Sequence, residues 1–432
     1  MALKKMPRRV TAIEEAARLF YKSLRLERLQ TEVTLVEDAL GRVLAVDVAA
    51  PEDLPALDRS AVDGYAVIAR DTFGASPGNP VILRLASIDS RPDSHLRNGE
   101  AVYVDTGSPL PVGSDAVVMV EFTSKISPDT IEVYKAVAPH DDVSWRGEDV
   151  KMGEVALKEG TRLEPQDLGM LVALGISEVQ VYKRPLVGIL STGSELAPPG
   201  QGKRRGEVTD VNSIVLSSMV RRYGGTPVPM GCIRDDFESI RSMIMDGLGR
   251  CDLMVVTGGT SEGQADLTVE AIDSLGKPGV VVHGVAVRPG RPTALASING
   301  KPVINLSGYP VAAMIGFYLF GRPLLARMLR TSQDIDPCVR ARVTRRIPAG
   351  PGLRSFVRVR VLRSGGAYLA EPVRSTGSGV ISSMINANGF VVIPEHVEGV
   401  DENEEVDVVL FRPILEHTGS NDFPGYPADP DM

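Results

Sequence analysis

Glu195, Asp235 and Asp266 are the residues of this chain placed most like a reaction centre, because each stands just past a short apolar run of strand-forming residues. Leu186–Leu190 leads through Ser191-Thr192-Gly193-Ser194 to Glu195, and Thr226–Ile233 leads to Asp235. Leu253–Val256 leads through Thr257-Gly258-Gly259-Thr260-Ser261 to Asp266, which is expected to cap a helix carrying Val269, Ile272 and Leu275. In a sheet of parallel strands such positions converge at the carboxyl ends, where ligands gather. Carboxylate oxygens are the donors a hard cation takes, so Mg²⁺ on Glu195, Asp235 and Asp266 is the expected metal. Gly258 and Gly259 leave the main chain bare for a phosphate, and Asp266 at the rim could hold the cation or orient a water. The plain alternative for each is structural: a glycine turn joining strand to helix, and Glu195 or Asp266 as a cap.

A second cluster is cationic. Arg288-Pro-Gly-Arg291-Pro sets two guanidinium groups on one edge of a turn, an arrangement suited to an oxyanion more than to open water. Other candidates are open to blander readings. Asp58, Asp63 and Asp149 could cap turns, and Thr106-Gly-Ser-Pro109 is a tight polar turn. Ser378 between two glycines is ambiguous, and His283 is expected only to pack or cap. Arg358 and Arg360 share one face of an alternating stretch, where a solvated face is the default.

The bulk properties bound these options. With 432 residues, two to four domains are expected, and a net charge of −8 with 5% aromatics argues against a nucleic-acid binder. No apolar run in the sequence reaches the roughly 18 residues of a bilayer span, and the basic start leads into no secretory core. The three cysteines form no CxxC, so a cysteine zinc site is excluded and a cytoplasmic location is expected. The absence of GxxxxGK[ST] and GxSxG excludes a P-loop and a serine-hydrolase elbow.

The elements that must position these residues follow from pattern. Thr11-Ala-Ile-Glu14 reads as a capping box opening a helix, and a short helix is expected over 35–40. The stretch 78–134 reads as β throughout, with frequent turns, as in a small β-module. From Pro185 strands alternate with helices (212–223, 236–248 and 310–329), which predicts a doubly wound parallel α/β domain. Beyond Cys338 the pattern returns to β. The expected domains are a connecting domain (31–50 and 154–182), a β-module (51–153), an α/β domain (7–30 and 183–334) and a C-terminal, barrel-like β-domain (335–415). The remainder, 416–432, is proline- and aspartate-rich and is expected to be disordered.

Several motifs run in order along the chain: DRSAVDGYA from Asp58, TGSPLPVGSDAVV from Thr106, RGED from Arg146, STGSEL from Ser191, GGTSEGQAD from Gly258, RPGRP from Arg288 and Gly377-Ser378-Gly379. Together they resemble the molybdopterin molybdenumtransferases of the MoeA type, to which the gephyrin E domain belongs. The resemblance spans about 11–411 and implies a molybdenum insertase. Such an enzyme transfers molybdenum from molybdate into adenylylated molybdopterin with Mg²⁺-dependent release of AMP. It implies an elongated homodimer of four-domain protomers, with one protomer's Asp58 turn serving its partner's site, and contact with the adenylyltransferase that supplies the substrate. It assigns functional polar roles to Asp58, Asp63, Thr106, Asp149, Glu195, Asp235 and Asp266. Thr192, Gly193, Gly258, Gly259, Ser261 and Gly308 fall in its cofactor-binding motifs, and Arg288, Arg291, Arg358 and Ser378 match oxyanion-binding positions, with Arg354 as the alternative to Arg358.

The chain departs from the family pattern in three places: two arginines replace the lysines of KPGKP, Tyr309 and Ala312 stand in the GNPVS motif, and Glu262 follows the glycine turn. These bear on the choice between molybdate and tungstate. The competing readings are a tungstate-using insertase, a nucleotide-processing enzyme like the MogA and CinA families, and a cofactor-binding protein without catalysis.

Overall fold

The computed structural model describes residues 10–86, 95–200, 204–258, 267–364, 366–374 and 377–414. The chain forms two compact units, Thr31–Val181 on one hand and Met1–Gln30 with Tyr182–Met432 on the other.

In the Thr31–Val181 unit, six strands form one sheet in the order Ala116–Met119, Gly64–Val67, Glu100–Val104, Val81–Leu85, Thr130–Val133 and Thr123–Ser127. Alternate residues such as Tyr65, Val67, Leu83, Ile131 and Val133 turn inward to make its core. A second, smaller cluster gathers Val36, Leu44, Leu163, Leu171 and Val181 around the helix Pro165–Ala173. The helix expected over 35–40 is reduced to one 3₁₀ turn, Val36–Asp38.

The other unit holds α1 (Ile13–Ser23), β1 (Leu186–Thr192), α2 (Asn212–Arg222), β2 (Thr226–Ile233), α3 (Phe237–Arg250), β3 (Leu253–Thr257), α4 (Leu267–Asp273), β4 (Pro278–His283), β5 (Ala294–Ile298) and β6 (Lys301–Leu306). The strands form one sheet in the order β2-β1-β3-β6-β5-β4. The first four run parallel, and β5 and β4 extend the edge as antiparallel strands. Because strand side chains alternate, Val187, Ile189, Val255 and Ile304 pack under α1 and α2, while Leu190, Met254, Val256 and Val303 pack under α3 and α4. Helices thus cover both faces, and only the strand ends are left to meet a ligand.

The capping box does not form. Ala12 is the N-cap of α1 and makes no side-chain cap, Thr11 bridges to Val285, and Glu14 instead pairs with Arg354 at 2.5 Å. Tertiary pairing draws the Thr11 backbone into a bridge and gives the Glu14 carboxylate to Arg354.

A long helix closes this sheet: α5 (Pro310–Gly316), a π-helical turn (Phe317–Gly321) and α6 (Arg322–Met328). Contrary to the expectation from sequence, the 19-residue helix Pro310–Met328 is long and apolar enough to cross a bilayer, the one such helix among the described residues. Its apolar window is 72% buried, and Phe317, Phe320, Leu324 and Leu325 lie in the sheet's own core, which accounts for its hydropathy.

After it comes a closed barrel of β7 (Cys338–Val343), β8 (Arg354–Ser364), β9 (Ala367–Arg374), β10 (Gly389–Ile393) and β11 (Glu405–Leu410). The order β8-β9-β7-β11-β10 returns to β8 through direct β8–β10 pairing. Its interior is Val343, Val359, Val361, Ala370 and Val408, whereas Phe356, Met384 and Phe390 face outward into the α/β core. The strand Val287–Arg288 pairs with Arg354–Ser355, tying the arginine-rich turn to the barrel.

Arg322 anchors the connection. Only 3% exposed, it pairs with Asp336 at 2.5 Å, bonds the Asp334 carbonyl and lies over the rings of Tyr223 and Tyr318. The Tyr318 hydroxyl donates to the same carboxylate at 2.6 Å; burial and that acceptor push its pKa well up, so it stays a donor throughout the physiological range. Arg322→Ala should lower stability by about 3 kcal/mol in chemical denaturation, because a half-buried Asp336 loses its cation. An unchanged midpoint would show the pair to be superfluous.

Candidate functional site

A cavity of about 1040 Å³ opens where the carboxyl ends of β1, β3 and β6 meet the barrel. Its floor is set by one close contact. Gly258, at φ +104°, follows β3 and donates its N–H to the Leu306 carbonyl at 3.2 Å. A Cβ at this position would lie 2.1 Å from the Thr192 carbonyl oxygen, so only glycine fits. Gly308 stacks on the same residue, where a Cβ would sit 3.5 Å from the Gly258 Cα. Under the floor the strand ends are polar and buried: Thr257 donates to Ser191 at 3.3 Å, and Thr192 shares a hydroxyl contact with Thr268 at 3.4 Å.

The rim carries two carboxylates. Asp235 accepts from the Ser194 amide and Ser194 from the Asp235 amide, both at 3.3 Å, which locks the two strand-end loops together. Glu195 lies one residue further on, its carboxylate close over Gly193. Asp235 and Glu195 line the same cavity and are exposed. Among the described residues no three His, Cys, Asp or Glu side chains cluster tightly enough to hold a metal ion alone. Two oxygen donors beside a phosphate-sized floor still fit Mg²⁺, which keeps water and takes substrate oxygens as its other ligands.

Cations line another part of the cavity. Arg288 and Arg291 come from the RPGR turn, Arg358 from β8 and Ser378 from the turn after β9. Arg358 is not on a solvated face, as its alternation with Arg360 suggested: it is 2% exposed, while Arg360 points outward and pairs with Glu371. Arg354, the competing residue, is engaged by Glu14 and Glu395. The Ser378 carbonyl accepts from the Val311 amide at 3.0 Å, which pins the barrel's turn to the start of α5.

Thr192, Gly193, Glu195, Asp235, Gly258, Arg288, Arg291, Gly308, Arg358 and Ser378 therefore share one cavity. Gly259, Ser261 and Asp266 lie outside the described residues, as does Glu262. Asp58, Asp63, Thr106 and Asp149 belong to the Thr31–Val181 unit, where hydrogen bonds gather three motifs. Asp63 accepts from the Thr106 hydroxyl at 2.6 Å and amide at 2.7 Å, and these bonds hold its carboxyl below the usual range. Asp58 accepts from the Arg146 amide at 2.8 Å, and the Asp149 amide donates to the Leu54 carbonyl. Asp53, not singled out from sequence, organises the same loop by accepting from Arg146 Nε and the Met152 amide.

Sequence reasoning also passed over Asp210 and Asn212, which line the cavity from the start of α2. Their signal was a polar pair before an amphipathic helix, indistinguishable from ordinary capping.

Known proteins resemble this chain along most of its length. The MoeA N-terminal region (domain I and II) matches residues 11–175, the probable molybdopterin binding domain 188–327 and the MoeA C-terminal region (domain IV) 340–411. The molybdopterin molybdenumtransferase of Bacillus subtilis is 33% identical over 389 residues, covering 89% of this chain and 90% of its own length. The chain belongs to the MoeA family of molybdopterin molybdenumtransferases. A Methanocaldococcus jannaschii protein named for molybdopterin biosynthesis is 42% identical, over 88% of this chain and 92% of that protein. The crystal structure of the Pyrococcus horikoshii molybdopterin biosynthesis MoeA protein superposes with a TM-score of 0.77 at 38% identity, covering 94% of this chain and all of that one. The family's closed barrel, β-rich N-terminal region and α/β domain are those described above.

Gly258→Ala is the sharpest test of the floor. The strained φ and the clash with Thr192 should cost about 1–3 kcal/mol of stability, and phosphate-ester binding measured by calorimetry should be lost. A stable Gly258→Ala protein with unaltered binding would mean the turn is not the phosphate seat.

Proposed function

We propose that this MoeA-family chain transfers molybdenum from molybdate into adenylylated molybdopterin and releases AMP with Mg²⁺. The observation that carries the reading is the shared cavity: a bare glycine floor, two rim carboxylates and three arginines, of which Arg358 is buried and Arg288 exposed, all face one space. The residues divide the work by charge. The backbone at Gly258 and Gly308, bare of side chains, leaves room for phosphate, while the guanidinium groups of Arg288, Arg291 and Arg358 offer only donors and Ser378 adds a hydroxyl that can donate, which suits a tetrahedral oxyanion.

Glu195 and Asp235 would hold Mg²⁺, joined by Asp266 from its place in the motif; when bound, the ion screens phosphoanhydride charge and polarises the scissile bond. Burial of Arg358 excludes water from its side of the oxyanion and strengthens that contact. The protein's part is then mainly to position two anionic substrates that repel each other in solution. Asp58, Asp63, Thr106 and Asp149 are assigned functional roles by their family motifs, and their bonding within the turns supports a fixed geometry for them. Tungstate in place of molybdate is the second form of the same reading, since both are tetrahedral dianions that the two arginines, standing where the family has lysines, can meet alike.

The direct experiment is AMP release from adenylylated molybdopterin. Release that requires molybdate and Mg²⁺ supports the proposal; release without oxyanion would identify a nucleotide-processing enzyme instead. In the same assay Arg291→Lys should weaken molybdate use several-fold and Arg291→Ala at least tenfold, since an ammonium cannot replace a two-pronged guanidinium. Equal oxyanion dependence in all three proteins would remove Arg291 from the site.

The reading extends to a cytoplasmic homodimer that meets its adenylyltransferase supplier. Sedimentation at twice the 46.3 kDa chain mass is expected, and a monomer at working concentrations would exclude the dimer.

A further inference from the structure

Two features of the cavity remain unused by this chemistry. Tyr309, where the family motif has asparagine, lines the cavity with 62% of its surface exposed. Its backbone is held: its amide donates to the Ser307 hydroxyl at 3.3 Å, and Pro310 starts α5 directly after it. The ring edge lies against the barrel's turn, since a Cβ on Gly379 would be 3.1 Å from Tyr309 Cδ1. A firmly placed aromatic ring open to a cavity offers a stacking surface for a flat ligand.

The second feature is an orphan acceptor. Asn212 is 6% exposed and lines the same cavity; its Nδ2 donates to the Gly308 carbonyl at 2.8 Å, which fixes the amide's orientation. Its Oδ1 is buried and meets no hydrogen-bond partner among the described residues. Burying an unpaired acceptor is costly, and the cost is removed by a ligand that brings an N–H donor. Asp210, 3% exposed and accepting from the Ser213 amide at 3.1 Å, adds negative charge to this wall. An anion would be repelled here, whereas an N–H edge is matched.

We propose that Tyr309 and Asn212 form a ring subsite, with Tyr309 stacking on the pterin and Asn212 Oδ1 accepting from the pterin's amino-pyrimidinone edge. The inference rests on molybdopterin being the substrate and deepens that reading. Between the two flat rings of an adenylylated pterin, the wall selects one. The pterin edge presents adjacent N–H donors, while adenine alternates a donor with an acceptor, which would face Asn212 and Asp210 unfavourably. The residue that departs from the family pattern at Gly308-Tyr309-Pro310 thereby sets how tightly this chain grips the pterin.

The test uses the full chain and three probes: 6-hydroxymethylpterin monophosphate followed by its own fluorescence, its lumazine counterpart lacking the 2-amino group, and AMP followed by calorimetry. Circular dichroism verifies folding of each variant. Wild type should prefer the pterin over the lumazine at least tenfold. Tyr309→Ala should bind the pterin at least fivefold more weakly and Tyr309→Phe within twofold of wild type, with AMP affinity unchanged in both. Unchanged pterin affinity in folded Tyr309→Ala overturns the stacking role, as does a loss confined to AMP. Equal affinity for pterin and lumazine overturns the role of Asn212. No pterin binding by wild type at all would instead overturn the functional reading, and the subsite with it.

Discussion

The approach of the Gly258 backbone to the Thr192 carbonyl is the constraint on which the rest of the site depends. It requires the ends of β1 and β3 to touch without an intervening side chain, and Gly308 after β6 completes the stack. Three neighbouring strands thus finish at one level. The parallel sheet, with helices on both faces, holds that level because its side chains have no other place to go. Everything placed after the strands, from Glu195 and Asp235 to Tyr309, inherits its position from this contact.

The barrel supplies what the sheet lacks. Oxyanions need donors, and strand ends rich in Ser, Thr and Asp give a mixed surface. Arg358 reaches the cavity from β8 while remaining 2% exposed, and its strand neighbour Phe356 and cross-strand partner Phe390 pack into the α/β core. The Val287–Arg288 pairing and the Ser378–Val311 bond join barrel to sheet at the cavity itself. Arg322 with Asp336 fixes the connecting segment between them. The cavity is therefore divided into a cationic region, drawn from the RPGR turn and from the barrel's Arg358 and Ser378, and an acceptor-bearing region at the start of α2. A substrate with anionic ends and a hydrogen-bonding ring matches that division.

Much of this was legible in the sequence where a local rule and the global fold agreed. Leu253–Val256 announces a doubly buried strand by composition, and β2 has the bounds its pattern predicts. The glycine turn is readable because no other residue tolerates its conformation. Illegible features were those decided by partners distant in the chain. Thr11 and Glu14 look like a capping box but are claimed by Val285 and Arg354. Arg358 alternates like a surface residue, yet it is buried at the cavity's wall. Asp210 and Asn212 look like helix caps, and only the cavity shows that they face a ligand-sized space. The long helix hides its own identity, since a core helix and a membrane span share hydropathy until burial is known.

On this reading the oxyanion sits on the arginine-rich patch and nowhere else in the cavity. Crystals soaked in molybdate, with diffraction collected at the molybdenum absorption edge, test this directly. One dominant anomalous peak is expected within hydrogen-bonding distance of Arg288, Arg291, Arg358 and Ser378. A dominant peak over the Gly258 turn, or none inside the cavity, would contradict it.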